Sequence, residues 1–275
     1  MQYAVMGNPI HHSLSPLLHA YFAQKCGIDM DYGRILVEGP FKDAADKFFA
    51  AGGKGCNITL PCKLEAFEYA GRLSDNAKRA GAVNTLKKEA DGVICGYNTD
   101  GPGLVKHLLY LNYPVKGAKI LIIGAGGAAK GILGPILAED PQSIVIVNRT
   151  AAKAEDLAVR AADARVSAVA FEALAKDEHA AFDLVINASA SSIQSTLPQV
   201  TDALLCKASA VYDLMYSKEG STIFTEHCRA LGIGQCSDGF GMLVGQAVLS
   251  FKIWNGVEPD FYQALTDLRG MLGSK

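Results

Sequence analysis

Residues 119–133 read KILIIGAGGAAKGIL. The run from Ile120 to Ile123 is apolar and rich in isoleucine, which suits a strand covered on both faces. Gly124-Ala125-Gly126-Gly127-Ala128-Ala129 follows, and then a helical pattern begins. The spacing is G-x-G-x-x-A in a strand–turn–helix setting, the context in which it binds a dinucleotide. Gly124 permits the tight turn, Gly126 lets backbone approach a pyrophosphate, and Ala129 is small enough for close helix–strand packing. The phosphates are expected at the helix N-terminus, where free N–H groups and the dipole favour an anion. Pro135 falls inside the following helix and is expected to kink it.

Around this stretch lie further apolar, β-branched runs, SIVIVN, FDLVINA and SAVYDLM, separated by alanine-rich helical segments. Runs apolar on both faces predict a parallel sheet sandwiched between helices. The second strand of such a unit normally ends in an acid that binds the adenine ribose of NAD. Here the tip reads Asn148-Arg149-Thr150, with Lys153 just beyond, and carries no acid. Arg149 offers a planar donor fork to a 2′-phosphate, and Thr150 and Lys153 add donors, so NADP is expected over NAD.

The chain of 275 residues is long enough for one large or two ordinary domains. Net charge is −2, with no basic block, which argues against nucleic acid or anionic membrane as a partner. No window is long and apolar enough to span a bilayer, and the first residues do not read as a signal peptide, so a soluble cytoplasmic protein is expected. The seven cysteines form no CxxC pair, and His11 and His12 have no further ligand at metal spacing. Neither a disulfide framework nor a metal site is expected; free thiols fit better.

The front half alternates strand and helix patterns. QYAVMG, YGRILVE and GCNITL read as strands. SPLLHAYFAQKCG reads as a helix with Ser15 as N-cap, Pro16 at its first position and Gly27 as its stop. FKDAADKFFAAGG and KLEAFEYAGRL read as two more helices, and AVNTLKKEADGVICGYN as a hairpin turning at Asp91-Gly92. Ser13 and Ser15, just before a helix, form a receptor for a small anion such as a carboxylate. Asn57 and Thr59 alternate in an extended strand and face one way. Lys63 then opens a helix, where the macrodipole disfavours a cation unless a carboxylate answers it. Asn84, Asn98, Thr99 and Asp100 cluster polar groups where a loop runs into a helix, and the change of pattern near Asp100 marks a domain boundary. Near the end, Leu243, Ala247, Phe251 and Trp254 make a helical stripe suited to a core.

Taken in order, GNPIHHSLSP, GCNITLPCK, GAVNTL, YNTDGPG, GAGGAAKG, NRT, DLMY and DGFGMLVGQA resemble the shikimate dehydrogenase family over nearly the whole chain. The resemblance implies α/β architecture in two domains, with a cleft between them. One is a discontinuous substrate domain of residues 1–100 plus 238–275, and the other a Rossmann-type NADP domain of residues 101–237. It implies reversible NADPH-dependent reduction of 3-dehydroshikimate to shikimate, a small-molecule substrate, and a monomer or homodimer. Ser13 and Ser15 would hold the carboxylate. Thr59, Asn84, Asp100 and Gln246 would bind the ring hydroxyls, and Tyr216 would reach toward the substrate. Lys63 and Asp100 would be the catalytic pair. Gly126, Gly127 and Ala128 would line the pyrophosphate turn, Asn148, Arg149, Thr150 and Lys153 would hold the adenosine phosphate, and Leu214 and Gly239 would flank the nicotinamide. The chain departs from the family pattern at Ala20, Gly71, Lys130, Lys153 and Leu214; Lys153 lacks the fork of the arginine frequent there. Two alternatives are a quinate/shikimate dehydrogenase using NAD or both cofactors, and an inactive ligand-sensing relative. The retention of both Lys63 and Asp100 speaks against the second.

Overall fold

The computed structural model describes residues 2–176 and 181–273. The front half contains β1 (Tyr3–Gly7), α1 (Ser15–Cys26), β2 (Tyr32–Leu36), α2 (Phe41–Ala50), β3 (Gly55–Ile58), α3 (Lys63–Tyr69), β4 (Arg72–Leu73), α4 (Asp75–Ala80), β5 (Thr85–Lys88) and β6 (Ile94–Tyr97). Helix α5 (Asp100–Tyr110) leads to β7 (Lys119–Ile123), α6 (Gly127–Ala138), β8 (Ser143–Val147), α7 (Ala151–Ala161), β9 (Val166–Val169) and α8 (Phe171–Lys176). Then come β10 (Leu184–Asn187), α9 (Asp202–Leu205), β11 (Ala210–Asp213), α10 (Ile223–Ala230), β12 (Gln235–Ser237), α11 (Phe240–Asn255) and α12 (Phe261–Gly273). Two compact units result: Met1–Gly103 with Val244–Gly270, and Leu104–Leu243 with Met271–Lys275. The chain leaves the first unit within α5 and returns to it within α11. Among the described residues no helix is long and apolar enough to cross a membrane.

The first unit is built on a mixed sheet of order β2-β1-β3-β5-β6-β4. β1 runs parallel to β2 and β3, whereas β5 is antiparallel to both β3 and β6. The β5–β6 hairpin turns at Gly92, whose φ of 83° is one that glycine adopts without steric cost. Two details differ from the sequence reading. Ser15 is the first residue of α1 rather than its N-cap; Ser13 Oγ accepts the Ser15 N–H instead. The third helix stops at Tyr69, because Arg72 and Leu73 pair with β6 as a short edge strand, and α4 follows under a Ser74 cap.

An aromatic cluster closes this unit. The His19 ring stacks on Tyr32 at 4.4 Å and meets Trp254 at 5.1 Å, Phe22 at 5.8 Å and Phe251 at 6.2 Å. Trp254 Nε1–H donates to the Leu86 carbonyl, and its indole lies where a Cβ on Gly55 would collide with it. The α11 stripe is therefore core at Ala247, Phe251 and Trp254, with Leu243 half-buried.

The second unit has an all-parallel sheet of order β12-β11-β10-β7-β8-β9. Its alternating residues explain why the strands read as continuous apolar runs. Ile120, Ile122, Leu184, Ile186, Ala210 and Tyr212 face one core, while Leu121, Ile123, Val185 and Val211 face another. The order doubles back between β7 and β10, the switch point outside which dinucleotides bind in such sheets. The sequence reading missed β9 and β12. They are the two edge strands, half-buried or exposed, and so lack the two-sided apolar run.

Burial pushes the His19 imidazole from 6.5 down to about 3, against a smaller upward pull from its hydrogen bond to Asn57. The unfolded chain therefore binds a proton near pH 6.5 that the folded chain refuses until about pH 3, and stability drains as the pH falls through that window. His19→Gln is expected to flatten the acid limb by up to about 1.4 kcal/mol per pH unit. Urea unfolding at about pH 4.5 and about pH 7 measures the slope. Equal slopes in variant and parent would exclude a buried neutral imidazole.

Candidate active site

Lys63 opens α3, one loop after β3, and Asp100 opens α5, one loop after β6. Their side chains meet: Lys63 Nζ donates to Asp100 Oδ2 at 2.6 Å. Both groups remain partly accessible, with side-chain exposures of 27% and 16%. A cation at the start of a helix opposes the dipole, whereas an anion there is favoured, so Asp100 supplies the charge that Lys63 needs. The other carboxylate oxygen is held by Asn84 Nδ2 at 2.8 Å, and the Asp100 N–H donates to Asn98 Oδ1 at 3.1 Å. Asn84 is itself braced, its Oδ1 accepting the Thr99 N–H and its Nδ2 donating to Thr99 Oγ1.

Behind Asn84 lies a buried polar layer centred on Asn57, which is 4% exposed. Asn57 Nδ2 donates to Ser250 Oγ at 2.9 Å and Thr85 Oγ1 at 3.1 Å, and Thr85 Oγ1 donates to Asn84 Oδ1 at 3.0 Å. Tyr32 OH donates to Asn57 Oδ1 at 2.8 Å. Ser13 Oγ donates to Ser15 Oγ at 3.2 Å, and Ser15 interacts in turn with the Tyr32 hydroxyl. The Ser13 carbonyl is held by Arg34 Nη2 at 2.8 Å. Thr59 is half-buried just past β3, its N–H bonded to the Met6 carbonyl. Its methyl occupies the space that a Cβ on Gly7 would need. Gln246 is buried on α11, its backbone against Gly103. A Cβ on Gly103 or Gly245 would overlap the opposing backbone, so the two helices cross here at closest approach. Sequence reasoning noticed Asn57 only as the neighbour of Thr59, and it missed Thr85 and Ser250. Nothing in their local spacing signals that three distant segments converge.

In the second unit, Gly124 adopts φ 114°, with the Ala188 carbonyl where a side chain would go. Gly126, Gly127 and Ala128 are exposed at the N-terminus of α6, and a Cβ on either glycine would meet nothing. Ala129 is fully buried. This is an open, backbone-lined turn on a helix N-terminus, and it fits a pyrophosphate. Arg149, Thr150 and Lys153 are exposed past the end of β8, where Asn148 Nδ2 donates to the Thr150 carbonyl. Among the described residues neither Arg149 nor Lys153 has an ion-pair partner, so this donor set suits a phosphate. Leu214 and Gly239 touch: a Cβ on Gly239 would overlap the Leu214 carbonyl. Tyr216 belongs to this unit, its ring edge-on to Phe240 at 6.3 Å, and burial pushes its hydroxyl up.

Among the described residues no cluster of His, Cys, Asp or Glu is placed to hold a metal ion. All seven cysteines are free, and burial pushes the Cys228 thiol up to about 12, far from a nucleophile's range.

Comparison with known proteins shows the family. The shikimate dehydrogenase substrate binding domain matches residues 5–86, the shikimate / quinate 5-dehydrogenase domain residues 108–209, and the shikimate 5'-dehydrogenase C-terminal domain residues 239–264. Shikimate dehydrogenase (NADP(+)) of Vibrio cholerae serotype O1 is 49% identical, covering 98% of this chain and 95% of its own. An Ael1 enzyme from Pseudomonas putida superposes with a TM-score of 0.91 at 41% identity, covering 97% of both chains. Shikimate 5-dehydrogenase from Thermus thermophilus, solved in complex with NADP(H) and shikimate, superposes at 0.86 with 28% identity over 98% of both chains. With matches running from end to end at such identities, the chain belongs to the shikimate dehydrogenase family.

Proposed function

We propose that this chain catalyses the reversible NADPH-dependent reduction of 3-dehydroshikimate to shikimate, in the pathway to aromatic amino acids. The observation that carries the reading is the Lys63–Asp100 pair, braced by Asn84 within the unit that also holds Ser13 and Ser15.

Reducing a ketone leaves an oxygen that needs a proton. The Lys63 ammonium has three N–H donors, of which Asp100 takes one. The others polarise the carbonyl oxygen and deliver the proton; in the oxidative direction Lys63 takes it back. Asp100 aims the ammonium. Ser13 and Ser15, at the N-terminus of α1, hold the substrate carboxylate, while Thr59, Asn84, Asp100 and Gln246 bind the ring hydroxyls. Gly124, Gly126, Gly127 and Ala128 would hold the pyrophosphate of NADP, and Asn148, Arg149, Thr150 and Lys153 its adenosine phosphate. Leu214 and Gly239 would flank its nicotinamide. Bound there, the nicotinamide would supply the hydride. On this reading residues 1–100 with 238–275 bind substrate and residues 101–237 bind cofactor. The partners are small molecules, the working form is a monomer or homodimer, and the site of action is the cytoplasm.

Initial rates with shikimate and with quinate, each against NADP and NAD, test the assignment. The shikimate–NADP pair is expected to be the most efficient, and no turnover with any pair would leave only a ligand-binding role. Lys63→Ala is expected to lower kcat by about 10³-fold while the equilibrium affinity for shikimate changes far less. A well-folded variant within about tenfold of the parent would remove Lys63 from the chemistry. Arg149→Ala is expected to raise KM for NADP by about 10- to 100-fold, the weight of a charge-assisted hydrogen bond, and to leave KM for NAD nearly unchanged. An equal rise for both cofactors would place Arg149 away from the phosphate.

A further inference from the structure

The buried layer beneath the catalytic pair contains a group that the mechanism does not use. His19 is fully buried, and its Nε2 lies 3.0 Å from Asn57 Oδ1. The orientation of the Asn57 amide is settled by its surroundings. Its nitrogen faces acceptors at Ser250 Oγ, Thr85 Oγ1 and the Asn84 carbonyl, and its oxygen already accepts from Tyr32 OH. The oxygen therefore points at His19, and His19 must donate from Nε2. The other ring nitrogen, Nδ1, is buried without a hydrogen-bond partner among the described residues, which suits a bare acceptor better than a stranded N–H.

From Asn57 the bonds run on to Thr85 and Ser250, from Thr85 to Asn84 Oδ1, and from Asn84 Nδ2 to Asp100. We infer that His19 is a positioning residue for the Lys63–Asp100 pair: its Nε2–H locks the Asn57 amide, and the locked amide sets Asn84 and so the carboxylate. Because Asn57 also accepts from Tyr32, beside Ser15, the same lock ties the carboxylate receptor to the proton donor. The inference rests on the proposed reading that this pair is catalytic. Burial that holds the imidazole neutral agrees with it, since a protonated ring here would bury an unpaired charge.

Three variants separate positioning from packing. His19→Phe keeps a ring and removes the donor. His19→Asn is too short to reach Asn57. His19→Gln can place an amide N–H where Nε2 was. Initial rates with shikimate and NADP are expected to show kcat/KM for shikimate lowered about tenfold in the Phe and Asn variants, with KM for NADP within about twofold. The Gln variant is expected to recover to within about threefold of the parent. Ser250→Ala, at the far side of Asn57, provides a milder lesion in the same direction should the Phe variant not fold. The ¹⁵N shifts of His19 are expected to report the neutral Nε2–H tautomer. Losses that follow melting temperature alone, a Gln variant no better than Phe, or an Nδ1–H tautomer would each overturn the positioning role. An inactive parent would instead overturn the reading of the reaction.

Discussion

A lysine at the first position of a helix sits in an unfavourable field, and the arrangement of the first unit answers that single difficulty. Asp100 supplies the compensating charge from the start of a second helix, where its own charge is favoured. For the two to meet, β3 and β6 must end on the same side of the sheet, which the antiparallel β5 between them makes possible. Gly103 and Gly245 then let α11 press directly on the first turn of α5, with no side chain between the backbones. A larger residue at either place would push the two helices apart, and Asp100 would move with α5.

The second unit solves a different problem, the exposure of helix-terminal backbone above a dry sheet. Alternating residues bury both faces of β7, so the chain emerges at Gly124 with little freedom left. A buried carboxylate organises the neighbouring strand ends. Asp213 accepts from Ser192 and Thr222 hydroxyls, from Asn187 Nδ2 and from the Met215 N–H. Burial pushes its carboxyl up, and the four donors pull it back. These bonds join the exits of β10 and β11 to the start of α10, one residue from Leu214.

The strands and glycine turn of the second unit were legible because each is a local pattern: a two-sided apolar run, then glycines at fixed spacing. Lys63 and Asp100 were each visible as charged residues at a helix start, although their pairing came from the family resemblance rather than from spacing. What stayed hidden was hidden for physical reasons. β9 and β12 are edge strands without a two-sided apolar signature. The start of α1 was misplaced by one residue because Ser13 accepts the N–H bond expected of Ser15. His19, Thr85 and Ser250 come from a helix, a strand and a distant helix, and each reads as an ordinary core position until folding sets them around Asn57.

The identity of the cation also follows from geometry. An arginine opposite Asp100 would lay a planar fork on both carboxylate oxygens, saturating the acid and displacing Asn84 from Oδ1. A histidine has two donors at most, fixed in the plane of the ring. Lysine carries three donors on a rotating tip and spends one on Asp100. The remaining two swing about that anchored bond and can follow an oxygen as it changes from carbonyl to alcohol. The carboxylate need not move, because Asn84 keeps hold of its other oxygen throughout. On the proposed reading, reversible proton delivery thus depends less on the strength of the ion pair than on its leaving the ammonium partly unsatisfied.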